Sequence, residues 1–153
     1  MNFIPLKKYA EALEALPILC VDVIIQNSRG EYLLVKRANQ PKKNRWWVIG
    51  GRVLKGETLE RAVIRKVREE AGLQIRQLRP IGYYELTHGV SPFSLPFDNH
   101  TVSIIFKATV AKNQLVVLDK QSVAYAYVKK LPFDFKIKLF DADSRYSVIK
   151  KSC

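Results

Sequence analysis

The chain predicts an α+β sandwich, in which strands are mixed with few helices. Three observations point there. Segments with period-two alternation outnumber segments with helical spacing, one central helix is rich in acidic and basic residues, and the apolar fraction of 48% is that of a globular chain. Taken in order, residues 5–16 put Leu6, Tyr9, Leu13 and Leu16 at helical spacing, and Pro17 ends that helix. Leu19, Val21, Val23 and Ile25 alternate with Cys20, Asp22, Ile24 and Gln26, which argues a strand. Asn27 to Gly30 has turn chemistry, and residues 31–37 read as the returning strand. Residues 40–44 form a basic loop, and 45–49 a short strand that feeds Gly50 and Gly51. A helix follows to about Ala71. Residues 73–88 suggest one long or bent strand, with Pro80 and Gly82 marking a break, and 89–99, with two prolines, a loop. Residues 101–110, 114–118 and 122–128 are expected strands, and 143–151 a terminal helix.

The 153 residues suit one compact domain, 1–153, and contain no internal repeat. The longest apolar run, Leu16 to Ile25, contains Pro17 and Asp22 and is too short to span a bilayer. With no secretory signal pattern and only Cys20 and Cys153 as thiols, neither a disulfide framework nor a metal knuckle is expected, and the expected location is a reducing cytoplasm. The formal charge of +12 predicts attraction to polyanions, nucleotides and nucleic acid alike, and is also compatible with simple solubility.

The central segment, residues 51–73, carries the chemistry. On a wheel of about 100° per residue, Leu59, Ala62, Val63 and Val67 make an apolar stripe, and Glu70 falls within it. A carboxylate there is costly unless a cation or donors meet it. Arg65 and Glu69 stand four residues apart and can pair, while Glu57 lies at the helix start, where the dipole favours negative charge. A solvated, charge-rich surface helix would use similar letters. The spacing argues otherwise, because Gly51, Glu57, Arg65, Glu69, Glu70, Gly72 and Leu73 all fall where the Nudix box pattern (Gly-x5-Glu-x7-Arg-Glu-U-x-Glu-Glu-x-Gly-U, U aliphatic) requires them. One position departs: Lys66 replaces the glutamate after the arginine.

The chain thus resembles the Nudix hydrolases, an α/β/α sandwich with a mixed central sheet, over about residues 5–130. It is most similar to the branch of GDP-mannose mannosyl hydrolases, on the N-terminal helix, residues 19–37 and residues 50–60. That resemblance implies Mg2+, or Mn2+, held by Glu70 and the Gly50 carbonyl with Glu69 close by and Gln121 from a late loop. It also implies that Arg37 and Arg52 contact the diphosphate and leaving group, that Asp22 contacts the sugar, and that His88 belongs to the site. Arg65 either orients the glutamates or makes a plain helix salt bridge. Bland alternatives stay open for Arg37 and Arg52 as exposed arginines, for Asp22 as a buried structural acid, and for Trp46 and Trp47 as core rather than base-stacking residues. The branch forms dimers through its N-terminal region, so a homodimer is expected.

Two expected bases are absent. Lys66 stands in place of the box glutamate; while charged it cannot accept a proton, and it lies one turn before Glu70, where it can pair with that residue and compete with a metal. The mannosyl-hydrolase branch lacks that glutamate too, but it relies on a histidine after the loop glutamine, and here that residue is Ser122. The leading expectation is an Mg2+-dependent hydrolase of a GDP-mannose-like nucleoside diphosphate sugar that releases the sugar, with His88 or Glu85 as the base. The second is attack on phosphorus, with a loop carboxylate such as Asp98 as base. The third is a catalytically weakened module that binds nucleotide or RNA.

Overall fold

The structure, a computed structural model, describes residues 4–38, 43–90, 95–111, 114–132 and 138–140. The element order is α1 (Leu6–Ala15), β1 (Ile18–Gln26), β2 (Tyr32–Arg37), β3 (Trp46–Trp47), β4 (Ile49–Arg52), α2 (Leu59–Ala71), β5 (Ile75–Gly89), β6 (Asn99–Val110), β7 (Ser122–Val128) and β8 (Lys138–Leu139). The strands form one mixed sheet with the path β3-β2-β1-β6-β5-β8. β1 and β6 run parallel, and the other pairs are antiparallel. β2 and β4 share the second edge of β1, β4 covering Cys20 to Val23 and β2 meeting it at Gln26. The α+β class with a mixed sheet is as predicted, and the described residues contain two of the expected helices.

Each element follows from its residues. The turn between β1 and β2 closes on Asn27, whose Oδ1 accepts from the backbone N–H of Arg29 and of Glu31 at 2.9 and 3.0 Å, with Gly30 at φ +79°. In α2, Thr58 caps the first turn by accepting from the Arg61 N–H at 3.2 Å. Gly72 ends the helix in the left-handed region at φ +66°, and its N–H returns to the Arg68 carbonyl.

The sheet has two apolar faces, sorted by strand alternation. On one, Val21, Val23, Ile25, Leu33, Val35, Ile49, Phe106 and Ala108 pack with Ala62, Val63, Val67 and Ala71 of α2. On the other, Ile24, Leu34, Val48, Ile81 and Ile105 form a second cluster, against which Trp47 and Tyr84 pack.

Several expectations need correction. The strand expected over 45–49 is two strands, β3 and β4, because Trp46–Trp47 pair with β2 whereas Ile49–Arg52 pair with β1. Pro80 and Gly82 do not break β5; register shifts at 76/79, 80/82 and 86/89 absorb them within one strand. Residues 114–118 are not a strand. Their alternation is real, since Val116 and Leu118 pack on the core while Leu115 and Val117 are exposed, but their polar groups serve the end of α2. The Val117 N–H donates to the Ala71 carbonyl at 2.9 Å, and the Gln114 side chain exchanges bonds with the Gln74 backbone at 2.8 and 3.0 Å. The terminal helix expected over 143–151, and parts of the loops expected over 40–44 and 89–99, lie outside the described residues.

Gly72 carries two constraints at once, a positive φ and a tight contact: a Cβ there would lie 3.3 Å from Val117 Cβ. Gly72→Ala should therefore cost about 1–2 kcal/mol, read as a lower urea midpoint with an unchanged slope.

Candidate functional site

The glycine strand β4 separates two groups of polar side chains. An added Cβ at Gly50 would collide with Asp22 Oδ1 and lie 2.5 Å from the Val21 carbonyl. One at Gly51 would lie 2.8 Å from Lys66 Cε. Successive glycines thus admit close neighbours on opposite faces, which is why neither position takes a side chain here.

On the α2 face, Glu70 is buried and its carboxylate Oε1 lies 2.5 Å from Lys66 Nζ; Lys66 is buried as well and reaches Glu69 Oε2 at 3.7 Å. Burial pushes the Glu70 carboxyl above its ordinary range, Lys66 opposes that shift, Asp119 adds to it and Arg37 opposes it. The charge of Arg37, at the end of β2, therefore reaches Glu70. The Ala38 N–H bonds the Gln121 carbonyl at 2.8 Å and Arg37 pairs in register with Ser122, so Arg37 and Gln121 are brought together by backbone. Asp119 accepts from the Gln121 N–H and Nε2, both at 2.8 Å, and its own N–H points to the Glu70 carbonyl at 3.4 Å.

Arg65 is the tie between loop and helix. Its guanidinium makes a fork with Glu57 (Nε to Oε1 2.7 Å, Nη2 to Oε2 2.9 Å), adds Glu69 at 3.2 Å and donates to the Arg52 carbonyl at 3.0 Å. Glu57 also accepts from the Leu54 N–H at 3.1 Å, so a single carboxylate organises the turn before α2. Arg65 thus makes the helix pair with Glu69 and also ties the preceding loop to α2.

On the opposite face, Asp22 accepts from Tyr84 Oη at 3.2 Å and from Ser103 Oγ. It is buried and hydrogen-bonded, as the structural alternative anticipated, and strand alternation turns it away from Glu70. Burial, with Asp22 next, pushes the Cys20 thiol up to about 12 and raises the Tyr84 hydroxyl. Arg52 belongs to this side: its guanidinium lies 4.2 Å from the centre of the Tyr9 ring. Trp47 packs in the core, while Trp46 is partly exposed.

His88 has its own polar partner. It lies at the end of β5, exposed, with Nδ1 2.8 Å from Asp98 Oδ2. Glu85 is held below the ordinary carboxylate range by Lys138, 2.8 Å away. Ser122, the residue standing where a histidine base was expected, is buried at the start of β7. Two contributors were missed by sequence reasoning. Asp119 carries only a turn-residue signal in the sequence, and Tyr9 was read simply as part of the first helix.

The residues as arranged do not fit a divalent ion. Among the described residues no group of three or more His, Cys, Asp or Glu side chains could hold one. Glu70, the buried carboxylate the resemblance assigned to the metal, already has an ammonium against it, and Glu69 is shared between Arg65 and Lys66.

This loop–helix centre on a mixed sheet defines the class. The NUDIX domain family model matches residues 16–140, and the chain belongs to that family. It is 36% identical over 133 residues to an ADP-ribose pyrophosphatase of Methanocaldococcus jannaschii, covering 84% of this chain and 73% of that protein. It is 30% identical over 112 residues to the low-salt glycan biosynthesis protein Agl8 of Haloferax volcanii, covering 73% and 71%. Among solved structures, a MutT protein from Methanosarcina mazei Go1 superposes with a TM-score of 0.57 at 26% identity, covering 74% of this chain and 78% of that one. The family affiliation of the box is therefore shown, whereas the GDP-mannose branch is not. Hydrolases of the family bind nucleotide-containing substrates and generally use divalent ions such as Mg2+. No helix among the described residues is long and apolar enough to cross a membrane.

Arg65 holds the Glu57 carboxyl below its ordinary range. A depressed carboxylate contributes stability above its unfolded pKa of about 4.3, and that contribution is lost as pH falls through the folded value. Glu57→Gln should cost about 1–2 kcal/mol near neutral pH, with the difference from the wild type closing in acid. Urea titrations from pH 7 to pH 3 read it directly.

Proposed function

We propose that this chain hydrolyses a nucleoside diphosphate linked to a sugar, cleaving the phosphoanhydride between the two phosphorus atoms. The observation that carries the reading is the convergence of Arg37, Gln121 and Asp119 on the buried Glu70 beside the glycine strand. Guanidinium forks suit phosphate oxygens; Arg37 ends β2 on the Glu70 side, and the exposed Arg52 ends β4 beside Tyr9. The diphosphate would lie on the α2 side, near Arg37 and the Glu70 centre. In the step itself a water oxygen bonds to one phosphorus, the bridging P–O bond breaks, and the water proton passes to Asp119, the carboxylate whose charge reaches Glu70. The surplus of 26 basic over 14 acidic residues favours capture of an anionic substrate.

A second reading, release of the sugar from a GDP-mannose-like substrate by attack at carbon, is favoured by Lys66 in place of the box glutamate and by Gln121 in its late loop. Its base would have to be other than the buried Ser122, and His88 stays exposed at the end of β5. We also place the chain in the cytoplasm as a homodimer, with Ile4, Leu6, Leu16 and Leu19, 45–63% exposed around α1, as the apolar contact.

Product analysis on ADP-ribose and GDP-mannose separates these readings. Phosphoanhydride cleavage yields AMP and ribose 5-phosphate, or GMP and mannose 1-phosphate. GDP with free mannose would support attack at carbon instead. No turnover together with salt-sensitive RNA binding would sink both and leave a binding module. Arg37→Ala should lower kcat/KM on the turned-over substrate by about 100-fold, and Asp119→Asn should lower kcat more than it changes KM.

A further inference from the structure

The residue that departs from the family pattern is also the one built most closely into the centre. Lys66 is buried, sits one turn before Glu70 and lays its stem beneath the glycine strand. The missing Cβ of Gly51 is what admits it: a methyl there would lie 2.8 Å from Cε, 3.3 Å from Cδ and 3.6 Å from Nζ. The ammonium ends 2.5 Å from Glu70 Oε1 and 3.7 Å from Glu69 Oε2. Position, charge and partners are those a bound cation would need, since a buried carboxylate requires a positive neighbour.

We propose that Lys66 is a tethered counter-cation that occupies the Glu70 position and excludes a divalent ion from it. An ion coordinated by Glu70 Oε1 would stand against the ammonium, so lysine pairing and metal binding at that oxygen are mutually exclusive. By linkage, whatever the lysine contributes to holding Glu70 is subtracted from metal affinity. The chain therefore keeps its acidic centre neutralised and ordered without metal, and it binds free divalent ions weakly. A chain with glutamate at position 66 would need the metal to relieve the cluster of carboxylates.

The test uses Mn2+ alone, with no nucleotide, on the full chain. Mn2+ affinity is measured by electron paramagnetic resonance for the wild type, Lys66→Met and Lys66→Glu, with melting curves in EDTA and in Mn2+. Lys66→Met should bind Mn2+ at least about ten-fold tighter than the wild type, and Lys66→Glu tighter still. Both variants should melt below the wild type in EDTA and recover in Mn2+, while the wild type shifts little. Equal or weaker Mn2+ affinity in both variants overturns the proposal. So does failure of both to fold even with Mn2+, which would make the lysine a packing element. Because no substrate enters the measurement, its outcome is independent of which bond the enzyme cleaves.

Discussion

A carboxylate buried in an apolar helix stripe has to be neutralised, and much of this centre is arranged around that requirement at Glu70. Transferring an unpaired carboxylate out of water costs more than a small domain can sustain. In this chain the neutralising charge is covalently attached. Lys66 lies one turn back on the same helix, and its stem passes under a strand position that has no Cβ. Three separate features of the sequence, the glycine, the lysine and the glutamate, are therefore one structural unit. Changing any one of them alters the space or the charge on which the other two depend.

Around that pair the chain uses stiff connections. The Glu57–Arg65 fork ties the loop to the helix it precedes and reaches the carbonyl of Arg52, so β4 and α2 are joined by one guanidinium. At the other end of α2, residues 114–119 lie across the helix terminus and satisfy carbonyls that a free end would leave to water. This brings Asp119 and Gln121 to Glu70, and the backbone bond between Ala38 and Gln121 brings the end of β2 with them. The acidic centre is thus assembled from three stretches distant in sequence, each fixed by main-chain hydrogen bonds rather than by side-chain chance.

The two glycines divide the remaining chemistry. Gly51 opens towards Lys66 and Gly50 towards Asp22, so one strand, by its own alternation, separates a carboxylate–ammonium pair from a buried carboxylate–hydroxyl network. Arg37 lies on the Glu70 side and Arg52 beside Tyr9, two guanidiniums suited to anionic ligands. The strongly basic balance acts over longer range, concentrating such anions near the surface.

Local pattern by itself determined much of this protein. Helical periodicity marked α2, alternation marked β1, and the spacing of Gly51, Glu57, Arg65, Glu69 and Glu70 marked the family. These are legible because each depends on residues within a few turns of one another. Tertiary structure alone decided the rest. Alternation in 114–118 could not reveal that its hydrogen bonds go to a helix end, nor could the sequence show that Asp22 and Glu70 lie on opposite faces, that His88 pairs with Asp98, or that Asp119 and Tyr9 join the two groups. The physical reason is common to all of them. A residue's partners across a sheet or at a helix end are set by register and packing between distant segments, which no spacing along one segment encodes.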